Sequence, residues 1–208
     1  MAEEQIGLED MLAGPFGGLP RGHFRTICAD PPWRFRTWSE TNQAKSPSKH
    51  YDLMTLDEIK ELPVASLAAE DAVLLLWAVN PMVPHALEVM AAWGFTYKTI
   101  GFVWAKTTSR TDMSWAPKYH MGLGYWTRAN VEIVLLGVRG KPKRTGKGVR
   151  QLIVAPNREH SRKPDEFYER AERLCDGPYL ELFSRQSRPG WSAFGNEAGK
   201  FDANREVA

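Results

Sequence analysis

The sequence predicts an α/β fold with a mostly parallel central sheet and helices on both faces. Strand-like and helix-like segments alternate along the 208 residues. The run "AVLLLWAV" (residues 72–79) is apolar throughout, as is typical of a parallel sheet covered on both sides. Ligands of such sheets bind beyond the carboxyl ends of the strands.

The first part of the chain predicts two strands separated by a helix. The segment "RTICAD" (residues 25–30) is expected to be a buried strand. Within "MTLDEIKEL", Thr55 and Glu58 have the spacing of a capping box, which begins a short helix. The segment "DAVLLLWAV" then supplies a central strand.

The alternation continues to the end of the chain. In "PHALEVMAAWG", Leu87, Met90 and Ala91 have helical spacing, and Gly94 is placed to end the helix. The segment "KPDEFYERAERL" predicts an amphipathic helix beginning at Pro164, because proline favours the first turn. Strands are predicted at "YKTIGFVWAK", "NVEIVLLGV", "LIVA" and "YLELF", and a short strand or turn at "WSAFGNE".

The chain is expected to form one domain. Residues 1–22 are predicted to be a flexible N-terminal segment on the surface, and residues 23–208 the domain itself. Three long loops, 34–50, 107–130 and 139–150, interrupt it, and loops of this length are usually functional or disordered. The second mixes basic with aromatic side chains, and the third holds six basic residues in twelve.

Composition excludes several classes of protein. The formal net charge is only +2, so a basic binding surface would have to be local. Cys28 and Cys175 form no C-x-x-C pair, which excludes a disulfide framework and disfavours a zinc cluster, so no metal is predicted. The acidic start does not resemble a signal peptide, and no apolar run is long enough to span a membrane. We therefore expect a cytoplasmic protein with no membrane partner.

The stretch "ADPPW" places an acid and two prolines at the end of the first strand. Pro32 forces Pro31 into an extended conformation, which fixes the direction of the Pro31 carbonyl. The Asp30 carboxylate and this carbonyl are two adjacent acceptors, which suit an exocyclic amine with two N–H donors. Trp33 offers a flat face on which a base could stack, a contact worth ~1–3 kcal/mol. The alternative is a strand end with a proline stop and a buried Trp.

Seven segments resemble, in the same order, the N6-adenine methyltransferase family named after the seventy-kilodalton subunit of the mRNA adenosine methyltransferase. They are "ADPPW", "YDLMTLDEI", "VLLLWAV", "FVWAKT", "VEIVLLGVRG", "HSRKPDEFYERAERL" and "ELFSRQSRPGWSAFGNE". The resemblance runs from about residue 23 to residue 197. It implies a Rossmann-like methyltransferase fold with circularly permuted motif order, S-adenosyl-L-methionine as cofactor, and a small prokaryotic or phage member.

The resemblance also assigns site residues. Catalysis falls to Asp30, Pro31, Pro32 and Trp33. The cofactor-binding positions are Asp30, Pro31, Lys163, Phe183, Arg185, Ser187, Asn196 and Glu197. Asn196 and Glu197 are expected near the ribose hydroxyls. The loop between Arg185 and Asn196 is shorter than in the eukaryotic pattern.

Substrate contacts are expected from a third set of residues: Trp33, Tyr51, Lys106, Lys141, Lys143 and Arg144. Tyr51 matches an aromatic beside the active site, and its alternative is a core tyrosine. Glu132 matches a family glutamate that is either functional or structural. The basic loop 139–150 would contact phosphates next to the adenine site, or it is a solvated face.

The sequence therefore predicts a site-specific DNA (adenine-N6) methyltransferase that prefers unpaired or single-stranded target. DNA is favoured because the compact chain shows no appended RNA-binding module. RNA as substrate, or a catalytically silent nucleic-acid-binding partner of an active homologue, are the alternatives. A nicotinamide-dependent enzyme is disfavoured because "GLGYWT" has Thr127 where a third glycine belongs. A homodimer is possible, and the sequence leaves the oligomeric state open.

Overall fold

The seven strands of this protein form one sheet in the order β5-β3-β4-β2-β1-β6-β7. A computed structural model describes residues 14–34, 53–108, 118–122, 124, 126–159, 162–195 and 199–202, and these counts refer to them. The strands are β1 Phe24–Ala29, β2 Ala68–Ala78, β3 Thr96–Thr107, β4 Val131–Arg139, β5 Leu152–Pro156, β6 Tyr179–Leu182 and β7 Trp191–Phe194. The helices are α1 Leu56–Glu61, α2 Val83–Ala92 and α3 Asp165–Leu174, with 3₁₀ turns at Val64–Ser66 and Asn80–Met82.

Six of the seven strands point the same way. Only β4 is antiparallel to its neighbours β2 and β3, and the other adjacent pairs are parallel. The predicted, mostly parallel sheet is therefore confirmed. The six parallel strands end at one side of the sheet, which we call the carboxyl edge, and begin at the opposite side, the amino edge.

Helices cover both faces of the sheet, as the sequence predicted. On one face, Ile59 of α1 and Val89 of α2 pack in a cluster with strand residues such as Leu74. On the other face, Phe167 of α3 packs in a second cluster with strand residues such as Trp77. In the part of the chain that is described, no helix is both long and apolar enough to cross a membrane.

The helices match the sequence signals with two exceptions, one at the start of α3 and one on the buried face of α2. The capping box of α1 is present, since the backbone N–H of Glu58 donates to Thr55 Oγ1 and that of Thr55 to the Glu58 carboxylate. Gly94 follows α2 with a φ of +80°. The first exception is Pro164, which caps α3 in an extended conformation instead of occupying its first turn.

The second exception is the buried face of α2. Leu87 is 37% exposed and Ala91 is also exposed, whereas Ala86, Val89 and Met90 are buried. Of the three residues with helical spacing, Met90 therefore faces the core, whereas Leu87 and Ala91 do not. Several faces of this helix are apolar, so spacing alone did not identify the one that meets the sheet.

The glycine-rich segment near the N-terminus contributes to the core. Phe16 is 2% exposed and packs edge-on against Phe194 of β7, with 5.2 Å between ring centroids. Residues 1–13 lie outside the described part, and residues 14–22 are exposed or half-buried except for Phe16, so the predicted flexibility of the segment stays a prediction. One aromatic side chain is enough to hold such a segment on the sheet.

Replacing Phe16 by alanine should lower the free energy of unfolding by about 3 kcal/mol or more, because a buried aromatic ring is removed and a cavity is left. Phe16→Leu, which keeps most of the volume, should cost clearly less. Urea unfolding of the three proteins measures this. An unchanged stability of Phe16→Ala would mean that the segment is loose after all.

Candidate active site at the carboxyl edge

The Asp-Pro-Pro-Trp segment leaves β1 at the carboxyl edge in a fixed turn. The backbone N–H of Trp33 donates to the Pro31 carbonyl at 2.8 Å, and that of Met54 donates to the Pro32 carbonyl at 3.1 Å. The two prolines fix their own φ, so four consecutive residues are held by ring geometry and two hydrogen bonds. The Pro31 carbonyl keeps one lone pair for a further donor.

Trp33 lies inside the protein. Its side chain belongs to the core cluster under α1 and α2, with 4% of the residue exposed. Its indole N–H donates to the carbonyl of Trp77 at 3.2 Å. A base could stack on this ring only after the ring had left its present packing, so the stacking role stays a prediction.

Four charged side chains from four segments form a continuous chain at this edge. Lys163, just before α3, contacts Asp30 at 3.0 Å and Glu132 of β4 at 2.8 Å. Lys106 of β3 contacts the other oxygen of Glu132 at 2.5 Å. Negative and positive groups alternate in the order Asp30, Lys163, Glu132, Lys106, so the set is electrically neutral.

Two tryptophan rings pack against the two ammonium groups of this charged chain. The Lys163 ammonium lies 4.5 Å from the centroid of Trp77, and the Lys106 ammonium lies 4.8 Å from that of Trp104. The two rings meet edge-to-face at 6.4 Å. The negative face of an aromatic ring attracts a cation, most strongly where water is excluded, so this aromatic floor holds both ammonium groups in place.

Burial and pairing act against each other in the pKa values of this cluster. Burial by itself would raise the pKa of Glu132, but the ammonium groups of Lys163 and Lys106 outweigh it and lower the pKa to about 2. Burial would lower the pKa of Lys163, but Asp30 and Glu132 raise it well above its usual range. Glu132 and Lys163 are therefore ionised at neutral pH.

A cleft opens between the ends of β1 and β6, on one side of Lys163. Its lining consists of Asp30, Arg162, Lys163, Tyr168, Glu181, Phe183, Arg185, Gln186 and Phe201. This set fits S-adenosyl-L-methionine, because carboxylates are available for its ammonium and sulfonium groups, cations for its carboxylate and rings for its adenine. The cleft brings together four of the predicted cofactor positions: Asp30, Lys163, Phe183 and Arg185.

Glu181 is a functional candidate that the sequence analysis missed. It lies on β6 and accepts hydrogen bonds from Tyr168 at 2.5 Å and from Ser184 at 3.0 Å. Burial raises the pKa of its carboxyl group, and the nearby Asp30 adds to the effect. A carboxylate within the buried strand "YLEL" was the available signal, since such residues are rarely buried without a partner.

The backbone at the end of β6 takes an uncommon conformation. Phe183 has a φ of +64°, which L-residues other than glycine adopt rarely. A Cβ on Gly195 would lie 2.4 Å from the Ser184 carbonyl oxygen, so the chain after β7 passes directly over this turn. Ser187, another predicted cofactor residue, uses its backbone N–H to bind Asp202 at 2.8 Å and does not line the cleft.

A second cleft lies on the other side of Glu132. It is lined by Val79, Asn80, Pro81, Lys106, His120, Gly122, Gly124, Trp126, Thr127, Ala129, Asn130, Val131 and Glu132. The Trp126 side chain is 98% exposed at its border. The backbone N–H of His120 donates to the Lys106 carbonyl at 2.8 Å, which fixes the loop against the end of β3. The charged chain therefore separates two clefts at one edge.

The basic loop 139–150 lies at the opposite edge of the sheet. Because β4 is antiparallel, Arg139 is seven residues from Glu132 along the strand, or about 23 Å at ~3.3 Å per residue. Thr145 N–H donates to the Leu174 carbonyl at the far end of α3 at 2.9 Å. The loop therefore does not border Asp30 and Glu132, because β4 runs in the reversed direction, which its composition does not reveal. Phosphate contact by the loop stays a prediction.

Acidic residues surround part of this loop and make it less suited to binding phosphate. Lys141 and Lys143 line a cleft together with Glu70, Asp71 and Asp176. The backbone N–H of Lys141 donates to the Asp71 carboxylate at 2.7 Å. Lys141, Lys143 and the adjacent Arg144 are therefore not gathered at the candidate site. Tyr51, Asn196 and Glu197 fall outside the described residues.

Comparison with known proteins identifies the family of this chain. The sequence profile of the MT-A70 family matches residues 24–197. The chain belongs to the MT-A70 family. Membership confirms the resemblance, the Rossmann-like methyltransferase fold and S-adenosyl-L-methionine as the cofactor predicted from it.

Individual relatives differ in how much of their length matches. The Type II methyltransferase M.MunI of a Mycoplasma species is 30% identical over 200 residues, which cover 88% of this chain and 81% of the relative. The human N(6)-adenosine-methyltransferase catalytic subunit METTL3 is 30% identical over 180 residues, covering 85% of this chain but 28% of the relative. The Arabidopsis thaliana N(6)-adenosine-methyltransferase MT-A70-like is 31% identical over a region that covers 85% of this chain and 24% of the relative. This MT-A70 chain thus spans about a quarter of the adenosine methyltransferases it matches.

The low pKa of Glu132 predicts a pH-dependent contribution to stability. The folded pKa of about 2 lies below the unfolded value, which is about 4.3. The carboxylate therefore stabilises the fold above about pH 4.3, and the contribution is lost as the pH falls through about 2.

Glu132→Gln should accordingly be less stable than wild type at pH 7, and the gap should close between about pH 4.3 and pH 2. Denaturant unfolding at a series of pH values measures it. Glu169→Gln, an exposed position on α3, serves as the matched control. A gap that stays constant over this interval would show that Glu132 is not ionised and paired in the folded protein.

Proposed function

We propose that this MT-A70 protein transfers the methyl group of S-adenosyl-L-methionine to N6 of adenine in DNA, and that it prefers an unpaired target. The observation that carries the proposal is the position of Asp30. It follows β1 at the carboxyl edge, lines the cleft that fits the cofactor and pairs with Lys163 at 3.0 Å. Glu132, the other partner of Lys163, lines the second cleft. We assign the target adenine to this cleft, with its N6 amine reaching Asp30 at the boundary between the two clefts.

Two acceptors next to each other would orient the amine. The Asp30 carboxylate accepts one N6–H, and the fixed Pro31 carbonyl accepts the other with its remaining lone pair. S-adenosyl-L-methionine, when bound, supplies an electrophilic methyl group carried by a sulfonium. Positive charge develops on N6 as the new bond forms, and a fixed anion beside it stabilises that charge more than it stabilises the neutral ground state.

Lys163 contributes in a different way. Its ammonium is 9% exposed and is held between Asp30 and Glu132. It fixes the direction of the Asp30 carboxylate and neutralises part of its charge, so that the carboxylate is oriented before the substrate arrives. One further N–H of the ammonium remains for a group in the cofactor cleft.

DNA is favoured over RNA by the extent of the matches. The chain corresponds to most of a compact Type II methyltransferase, whereas the matched adenosine methyltransferases are about four times as long as the matched region. RNA is the alternative, supported by the word adenosine in those names. A catalytically silent partner is disfavoured because Asp30 and its turn are intact and Asp30 is paired with Lys163.

Asp30→Asn and Asp30→Ala should each lower methyl transfer to adenine by about 100-fold or more, the scale found when one preorganised charge-stabilising group is removed. Radiolabelled S-adenosyl-L-methionine and a single-stranded oligonucleotide measure turnover, and a melting curve checks folding. Asp57→Asn, exposed on α1, is the control. A folded Asp30→Ala variant with near-normal turnover would place the catalytic group elsewhere.

The strand preference follows from the cost of exposing N6. In a duplex the base must be flipped, which costs a few kcal/mol, so single-stranded DNA should be methylated at least about 10-fold faster than its duplex. Matched single-stranded DNA, duplex DNA and RNA are compared, with adenine-free oligonucleotides as controls and nucleoside analysis of the product. Faster methylation of the duplex contradicts the preference, and methylation of RNA alone replaces DNA as the substrate.

A further inference from the structure

The contacts of Lys106 show whether it is placed to bind DNA directly or to act through Glu132. It is on β3, diagonal to Glu132, because Trp104 pairs with Glu132 across β3 and β4. Its ammonium contacts Glu132 Oε1 at 2.5 Å, whereas Lys163 occupies Oε2 at 2.8 Å. Its side chain is 19% exposed. Most of this side chain is thus committed to Glu132 and the Trp104 ring.

We propose that Lys106 is a positioning residue that acts through Glu132 and Lys163 to hold Asp30 in its reactive orientation, and that it is not a phosphate contact. The inference rests on the proposed function and adds the part of the site that fixes Asp30. Lys106 holds one oxygen of Glu132, the other oxygen holds Lys163, and Lys163 holds Asp30. Each link is a contact of 3.0 Å or less between an ammonium and a carboxylate.

The net charge of the cluster explains why Lys106 affects the contact between Lys163 and Asp30. Without Lys106 the remaining groups are two carboxylates and one ammonium, with a net charge of −1 in a half-buried site. Both oxygens of Glu132 would then compete for Lys163, and the ammonium would move toward Glu132 and away from Asp30. Lys106 satisfies one of those oxygens, so Lys163 can be shared between the two carboxylates.

The supporting structure is rigid enough to transmit this effect. Lys106 and Glu132 lie on adjacent, hydrogen-bonded strands, and the Lys106 N–H donates to the Asn130 carbonyl at 2.9 Å. The Trp104 and Trp77 rings below the two ammonium groups are buried and in contact. A displacement of about 1 Å in a group that orients the substrate can cost about 100-fold in rate.

Charged and titratable groups approach Glu132 from several packed elements. Lys106 approaches from β3, Lys163 from the segment before α3, and Asp30 lies behind Lys163 at the end of β1. His120 lines the same cleft from the loop that follows β3. Lys106 and Lys163 are the groups in direct contact with the carboxylate in the described part of the chain.

The test compares Lys106→Met, which keeps the length and removes the charge, with Lys106→Arg, which keeps the charge. Lys98→Met, an exposed position near the start of β3, is the matched control. For Lys106→Met we expect kcat to fall by about 10- to 100-fold, with KM for DNA and its salt dependence close to wild type. Lys106→Arg should restore kcat to within a few-fold, and Lys98→Met should leave both constants unchanged.

A double variant tests the route through Glu132. If Lys106 acts only through this carboxylate, Lys106→Met combined with Glu132→Gln should lose no more activity than Glu132→Gln alone. Fully additive losses would overturn the proposal. So would a raised KM and a weaker salt dependence with kcat unchanged, because those changes mark a direct phosphate contact.

A readout independent of activity separates this inference from the proposed function. Crystal structures of Lys106→Met and wild type give the distance from Lys163 Nζ to Asp30 Oδ2, now 3.0 Å. We expect the contact to be lost in the variant and kept in Lys106→Arg. An unchanged contact in Lys106→Met overturns the inference even if the enzyme methylates adenine. Absence of methyl transfer by wild type overturns the function, while the distance still decides the role of Lys106.

Discussion

The ammonium of Lys163 is the group on which the arrangement of the carboxyl edge depends. It is nearly buried and contacts two carboxylates that come from different strands, Asp30 after β1 and Glu132 on β4. Removing one partner of a buried ion pair leaves an uncompensated charge and is strongly unfavourable. The position of the Asp30 segment is thus tied to the segment before α3 and to the centre of the sheet.

The same interaction divides the edge into two clefts that share their charged groups. Asp30 and Lys163 line the side that fits the cofactor, and Glu132 and Lys106 line the side assigned to the adenine. Because the four groups alternate in sign, they can be packed at hydrogen-bond distance without a net charge. The cluster therefore contributes nothing to the formal net charge of +2.

The density of basic residues along the sequence would have suggested a binding site at a different edge of the sheet. The highest density of basic residues is in the loop 139–150, yet that loop lies at the amino edge beside Glu70, Asp71 and Asp176. Local charge density describes a segment of sequence, whereas binding depends on which other segments share its surface. Lys106 and Lys163, which lie outside this basic loop, are the lysines that meet at Glu132 on the carboxyl edge.

The sequence by itself determined the order and type of the elements, the capping box of α1, the mostly parallel sheet and the position of Asp30 at a strand end. These follow from periodicity, propensity and proline geometry, which are local. Only the tertiary structure decided that Phe16 is buried, which face of α2 meets the sheet and that Glu132 and Lys106 join Lys163 and Asp30. Those outcomes depend on the direction of β4 and on contacts between residues far apart in the sequence. The separation is 178 positions for Phe16 and Phe194 and 133 positions for Asp30 and Lys163, and no local pattern specifies such contacts.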